Sequence, residues 1–182
     1  AEVRNPSELL LSGRPLGTPG TCVVCAVEGT RPVLAEIQAL VAVSSFNVPR
    51  RNANGIDYGR AMMLLAVLEK RGGLRIGGCD AYINVIGGLT LTEPAADLAT
   101  VLALASSYKD KPVPDDLVAI GEVGLTGELR PVSHISARLA EIRRLGFTTC
   151  LMPKSAKTTI TAPAGLKIIT ARTVSEAIGL VF

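Results

Sequence analysis

A chain of 182 residues, 48% of them hydrophobic, can bury one substantial core and reads as a single domain. Its formal net charge of +3 permits a polyanionic partner without requiring one, and 3% aromatics with no Trp speak against a base-stacking platform for single strands. No apolar run is long enough to span a bilayer, and nothing near Ala1 reads as a signal peptide.

Pro6 to Pro19 reads as loop, and the first residue is not Met. Residues 1–19 are therefore expected to be a linker from a preceding domain, and 20–182 the folded unit. Four dispersed cysteines fit a reducing cytosol, hence a cytoplasmic protein, better than a disulfide framework. Cys22 and Cys25 have CxxC spacing, but Val23 and Val24 make the segment extended, with the sulfurs on opposite faces. Small core residues are expected there, rather than one half of a zinc site.

Thr21–Glu28 and Val33–Val43 read as strands of a hairpin joined at Gly29-Thr30. Along the second arm Val33, Ala35, Ile37, Ala39, Val41 and Val43 share one face. Glu36 and Gln38 lie on the other, which predicts a wet side. Ser44–Asn54 is a polar loop. A helix is expected to open at Asn54, as N-cap, with Tyr58, Ala61, Met62, Leu65 and Leu68 on its inward stripe and an end near Gly72-Gly73.

Asp80–Ile86 alternates as a strand, and Gly87-Gly88 follows it. From Ala95 to Ala105 only Asp97 and Thr100 are polar, so this helix, entered at Pro94, belongs inside the domain. Glu93 and Asp97 place negative charge at its positive end. A strand, a glycine-rich loop and a buried helix start commonly frame a reactive group or an anion. Here Ala95-Ala96 occupy that place, and methyl groups do no chemistry.

Beyond a loop at Lys109–Pro114, Leu117–Val123 reads as a strand, turned at Gly124–Gly127 into Glu128–Arg130. Ser133 is the expected cap of a helix with Ile135, Leu139, Ile142 and Leu145 inward and Gly146 at its end. Strands at Thr149–Met152 and Lys167–Thr170 and a final helix Val174–Leu180 complete the pattern. A hairpin followed by alternating helices and strands implies an α+β fold, an α/β two-layer sandwich.

No P-loop and no G-x-G-x-x-G after a strand is present. His134 is the sole histidine, which excludes a multi-histidine metal site; it reads as a surface or capping residue. Glu122 and Glu128 flank a turn, where cross-strand pairing explains them better than acid–base work.

Thr92–Asp97, Gly121–Pro131 and Gly146-Phe147 through Met152-Pro153-Lys154 resemble the Lon-protease-type domain, whose fold recurs in the second domain of ribosomal protein S5. Asn5–Leu9, Glu28–Pro32, Pro49–Arg51, Gly55–Tyr58 and Ala66–Arg71 narrow the likeness to the C-terminal domain of a bacterial DNA-repair ATPase. Active Lon-type peptidases use a serine at the start of the buried helix and a neutral lysine as its base. Those positions fall on Ala95 and Ser136, and no lysine lies between Lys111 and Lys154. Arg138 is nearby, but a guanidinium stays charged and cannot serve as a base. The resemblance thus implies a pseudo-protease that keeps the fold without the chemistry.

It further implies a hexameric ring of such chains, DNA as a partner during branch migration of recombination intermediates, and recombinase or repair proteins as others. ATP with Mg²⁺ and zinc are implied only for domains outside this chain, with none here. Arg50, Arg51 and Arg60 are the leading group for DNA or a neighbouring subunit, followed by Lys70 and Arg71 (with Arg75) and by Arg143 and Arg144. Two alternatives stand beside this one. The domain would be a ring scaffold that never touches DNA, or a residual peptidase using Ser44, Ser45 or Ser136.

Overall fold

The computed structural model describes residues 5–154 and 160–182. A seven-stranded mixed sheet has the order β3 (Arg51–Asn54), β4 (Cys79–Val85), β2 (Arg31–Val43), β1 (Thr21–Glu28), β5 (Leu117–Ala119), β8 (Thr149–Pro153) and β9 (Lys167–Ala171). A two-stranded ribbon pairs β6 (Glu122–Val123) with β7 (Leu129–Arg130). The sheet's centre is the hairpin of β1 (Thr21–Glu28) and β2 (Arg31–Val43), in register from Thr21↔Gln38 to Glu28↔Arg31. Gly29 takes a φ of 62° at the tight turn, which costs a residue without Cβ nothing.

Cys22 to Ala26 and Val33 to Ile37 are buried without alternation, so both faces of the hairpin are covered. Helix α3 (Asp97–Lys109) packs on one face, and α1 (Pro6–Leu11) and α4 (Ile135–Arg144) on the other. The wet side expected at Glu36 begins only at Leu40. Glu36 is buried and accepts from the Thr21 hydroxyl at 2.5 Å and the Gln38 amide at 3.1 Å. Pro6–Leu11 is helix rather than loop, capped by Asn5 and seated by buried Ser7, whose Oγ accepts from Leu34 N–H at 2.9 Å. Residues 1–4 lie outside the described ones.

The polar loop ends in an edge strand, β3 (Arg51–Asn54), parallel to β4 (Cys79–Val85). Its four residues carry no hydrophobic run, so only the neighbouring strand reveals it. Helix α2 (Tyr58–Lys70) is capped by Asp57, which accepts from Arg60 N–H at 2.9 Å, not by Asn54. Tyr58 faces solvent while Leu64 and Val67 are buried, so the inward stripe is rotated from the expected one.

Between β3 and α2, Gly55 has a φ of 85°, and a Cβ there would lie 2.6 Å from Val85 Cβ and 2.7 Å from the Leu89 carbonyl oxygen. Gly55→Ala is expected to cost about 2 kcal/mol in urea unfolding, from left-handed strain plus overpacking. A cost below half of that would mean that the β3–α2 turn gives way freely.

Helix α3 is buried from Asp97 to Ser106, as its apolar sequence requires. Its hydroxyls join the layers: Ser106 Oγ accepts from Gly20 N–H and Ser107 Oγ from Val41 N–H, both at 2.9 Å. Strand β5 (Leu117–Ala119) is shorter than the expected Leu117–Val123, because the chain leaves the sheet after Ile120 to meet the start of α3. There Gly121 N–H donates to Ala95 O and Leu98 N–H to Gly121 O, both at 3.1 Å. The chain then enters the ribbon of β6 (Glu122–Val123) and β7 (Leu129–Arg130).

Strands β8 (Thr149–Pro153) and β9 (Lys167–Ala171) close one side of the sheet, and α5 (Val174–Val181) packs on α3. No helix among the described residues is long and apolar enough to cross a membrane.

Candidate functional site

The start of α3 is built by two acidic residues, each held by one arginine. Pro94–Ala96 form a single 3-10 turn leading into α3. Asp97, 2% exposed, accepts Val123 N–H at 3.0 Å and both arms of Arg60, with Nε at 2.6 Å. Burial pushes the Asp97 carboxyl up, while Arg60 and Val123 oppose it; the Asp97 hydrogen bond in turn raises Arg60. Arg60 keeps its charge, because a guanidinium does not surrender its proton, and the three N–H donors aimed at the two Asp97 oxygens favour the carboxylate.

Glu93 lies on the opposite side of the turn. It accepts Val27 N–H at 2.8 Å and two bonds from Arg138, at 2.5 and 2.9 Å. Burial would raise this carboxyl, but Arg138 and Val27 outweigh it and hold it below its ordinary value.

Arg138 itself is wholly buried. It also donates to Cys25 O and Ser133 O at 2.8 Å each, so one guanidinium ties β1, α4 and the turn before α3 together. From the sequence Arg138 is only a group unable to act as a base, yet Ile135, Arg138, Leu139 and Ile142 fall on one helical stripe. That phase is a core position, and it was the available signal.

The positions that the resemblance assigns to the peptidase dyad are Ala95 and Ser136. Ala95 is 1% exposed and presents a methyl group; Ser136 sits exposed in the first turn of α4. Ser133 does not cap α4 with its side chain. The N-cap is His134, exposed and left-handed at a φ of 56°, with Nδ1 3.0 Å from Ser133 Oγ. Glu122 stands across the ribbon from Arg130 in register, whereas Glu128 pairs with Arg130 at 3.1 Å along its own arm, two residues away, so the expected cross-strand pairing holds for Glu122 by register alone. Cys22 and Cys25 are core residues, and burial pushes both thiols up to about 12.

Beside Gly87-Gly88 a cavity of about 290 Å³ is lined by Asn54, Gly55, Asn84 and Thr90. Another, of about 350 Å³, reaches Asp57, Arg60 and Thr92.

The leading basic group is divided by the fold. Arg60 belongs to Asp97, away from Arg50 and Arg51. Arg51 donates to Ile76 O at 3.0 Å and Gly77 O at 3.3 Å, which brings the turn carrying exposed Arg75 alongside. Arg50 is exposed, and its guanidinium carbon lies 3.9 Å from the centroid of the Phe46 ring. Arg50, Arg51 and Arg75 therefore gather at one end of the sheet. Lys70 is exposed at the end of α2, and the Arg71 side chain lies against the Gly127 turn. Arg143 donates to Ala164 O at 3.1 Å, and Arg144 is paired with Glu141. Phe46 was missed because a lone ring in an irregular loop has no periodicity to betray it.

Residues 61–156 match the family described as subunit ChlI of Mg-chelatase. The chain is 46% identical over 181 residues to the DNA repair protein RadA of Streptococcus pneumoniae and 48% over 177 residues to that of Bacillus subtilis. A third relative, RadA of Listeria monocytogenes, is 46% identical over 177 residues. These alignments cover 100%, 97% and 97% of this chain and 43%, 39% and 39% of those proteins, so the chain spans about two fifths of the length of the curated relatives it matches. They agree with the repair-ATPase likeness carried by the motifs. With more than half of its length matched, the chain belongs to the family described as subunit ChlI of Mg-chelatase, in the form shared with the bacterial DNA repair protein RadA.

Proposed function

We propose that this chain is a non-proteolytic domain of a DNA repair protein, one that contacts DNA and helps to assemble a hexameric ring during branch migration. The carrying observation is the convergence of Arg50, Arg51 and Arg75 at one end of the sheet. Positive groups on adjoining turns can follow a phosphate backbone, and each phosphate neutralised releases counterions. The absence of peptidase chemistry rests on Ala95 and Ser136 at the dyad positions and on Arg138 being committed to Glu93. ATP, Mg²⁺ and zinc belong, on this reading, to parts of the longer protein outside this chain.

Duplex binding should weaken linearly in log affinity against log salt. Arg50→Ala should reduce that slope by about 1 and weaken binding alike on all sequences. A flat salt response by the wild-type chain would sink the DNA reading. The exposed Val43, Phe46 and Val48 favour the second reading, a scaffold that assembles rings without touching DNA. It requires Arg50→Ala to alter sedimentation while leaving DNA affinity per ring unchanged.

A further inference from the structure

We infer that Phe46 is a wedge that enters DNA where bases are already unpaired, at a fork or a branch, with Arg50 holding the adjoining phosphate. This rests on the DNA reading above and names the substrate class and the contact.

Three apolar side chains face solvent at the end of β2 and on the turn that follows it: Val43 is 87% exposed, Phe46 49% and Val48 78%. Apolar groups so placed mark a surface that meets something. The turn is held in shape, not loose. Phe46 N–H donates to Ser44 Oγ at 3.1 Å, Ser44 N–H to Gly78 O at 3.2 Å, and Arg50 N–H to Asp80 Oδ1 at 2.7 Å. Arg50 stacks on one face of the Phe46 ring, which leaves the other face for a base and the guanidinium edge for a phosphate.

Charge selects the occupant. The carboxylates at this end, Asp80 and Glu69, accept the backbone N–H groups of Arg50 and Gly77. Counting formal charges, Arg50, Arg51 and Arg75 outnumber Asp80 and Glu69 by one, and the whole chain is +3, which suits a polyanion better than a second copy of this chain. The number of rings selects the kind of DNA. One phenylalanine is no platform for a long single strand, and unstacking a paired step costs more than one ring returns. A base that is already unpaired imposes no such cost.

The chain has no Trp, so Phe46→Trp installs a single reporter in an exposed turn. Its emission should be quenched by saturating forked DNA and not by a fully paired duplex of the same length. Phe46→Ala should bind the fork roughly tenfold more weakly while keeping duplex affinity and salt slope; matching melting temperatures would confirm intact folds. Unchanged Trp emission at saturation, or wild-type fork affinity in Phe46→Ala, would overturn the wedge and leave the DNA reading standing. Altered sedimentation of Phe46→Ala with unaltered DNA binding would assign the turn to copies of this chain and overturn the wedge too. Failure of the wild-type chain to bind any DNA at low salt would remove both.

Discussion

Replacing Arg138 with Met is expected to lower the unfolding free energy by about 3–5 kcal/mol at neutral pH, read by urea denaturation. Met approximates the length of the side chain, so little of the loss would come from a cavity. The loss arises because Glu93, with its side chain only 24% exposed, would keep a charge without its partner. The carbonyls of Cys25 and Ser133 would lose their donor as well.

Acid should narrow the gap between wild type and variant. The folded state holds Glu93 below its ordinary value of 4.5. The pair's contribution is therefore complete above that value and is lost as pH falls through the lower folded one. A loss under about 1 kcal/mol at neutral pH, or a gap that ignores acidification, would mean that the turn before α3 is held by other contacts.

Arg60→Ala is expected to cost about 2–4 kcal/mol, somewhat less because the Arg60 side chain is 29% exposed and its site can take up water. The cost comes from Asp97, which would retain only the Val123 N–H. Such a variant should unfold earlier yet, while folded, bind DNA as the wild type does. A folded Arg60→Ala chain with weakened DNA binding and unaltered stability would return Arg60 to the group of Arg50 and Arg51. Single-site urea curves and salt titrations on the same preparations distinguish these results.

Much of the fold was legible without coordinates. The hairpin arms, the buried helix, the last two sheet strands and the final helix are all long or strongly patterned, and they stand within a residue or two of their expected bounds. The short elements were not. Strand β3 is visible only through its partner β4, and α1 only through the hairpin face that it covers. Strand β5 ends early because Gly121 bonds the start of α3, a contact between segments far apart in sequence.

Residue identity alone determined that Ala95 and Ser136 stand at the positions that the Lon-type resemblance assigns to nucleophile and base, since which side chain occupies a position does not depend on packing. Identity also determined which arginines exist, but not what each one does. The tertiary structure decided that Arg138 is a buried strut, that Arg60 belongs to Asp97, and that Arg50 stands over Phe46 beside Arg51 and Arg75. The reason is physical. A guanidinium has one charge and several directed donors, and whether they meet a carboxylate, a carbonyl, a ring or water depends on neighbours that only folding supplies.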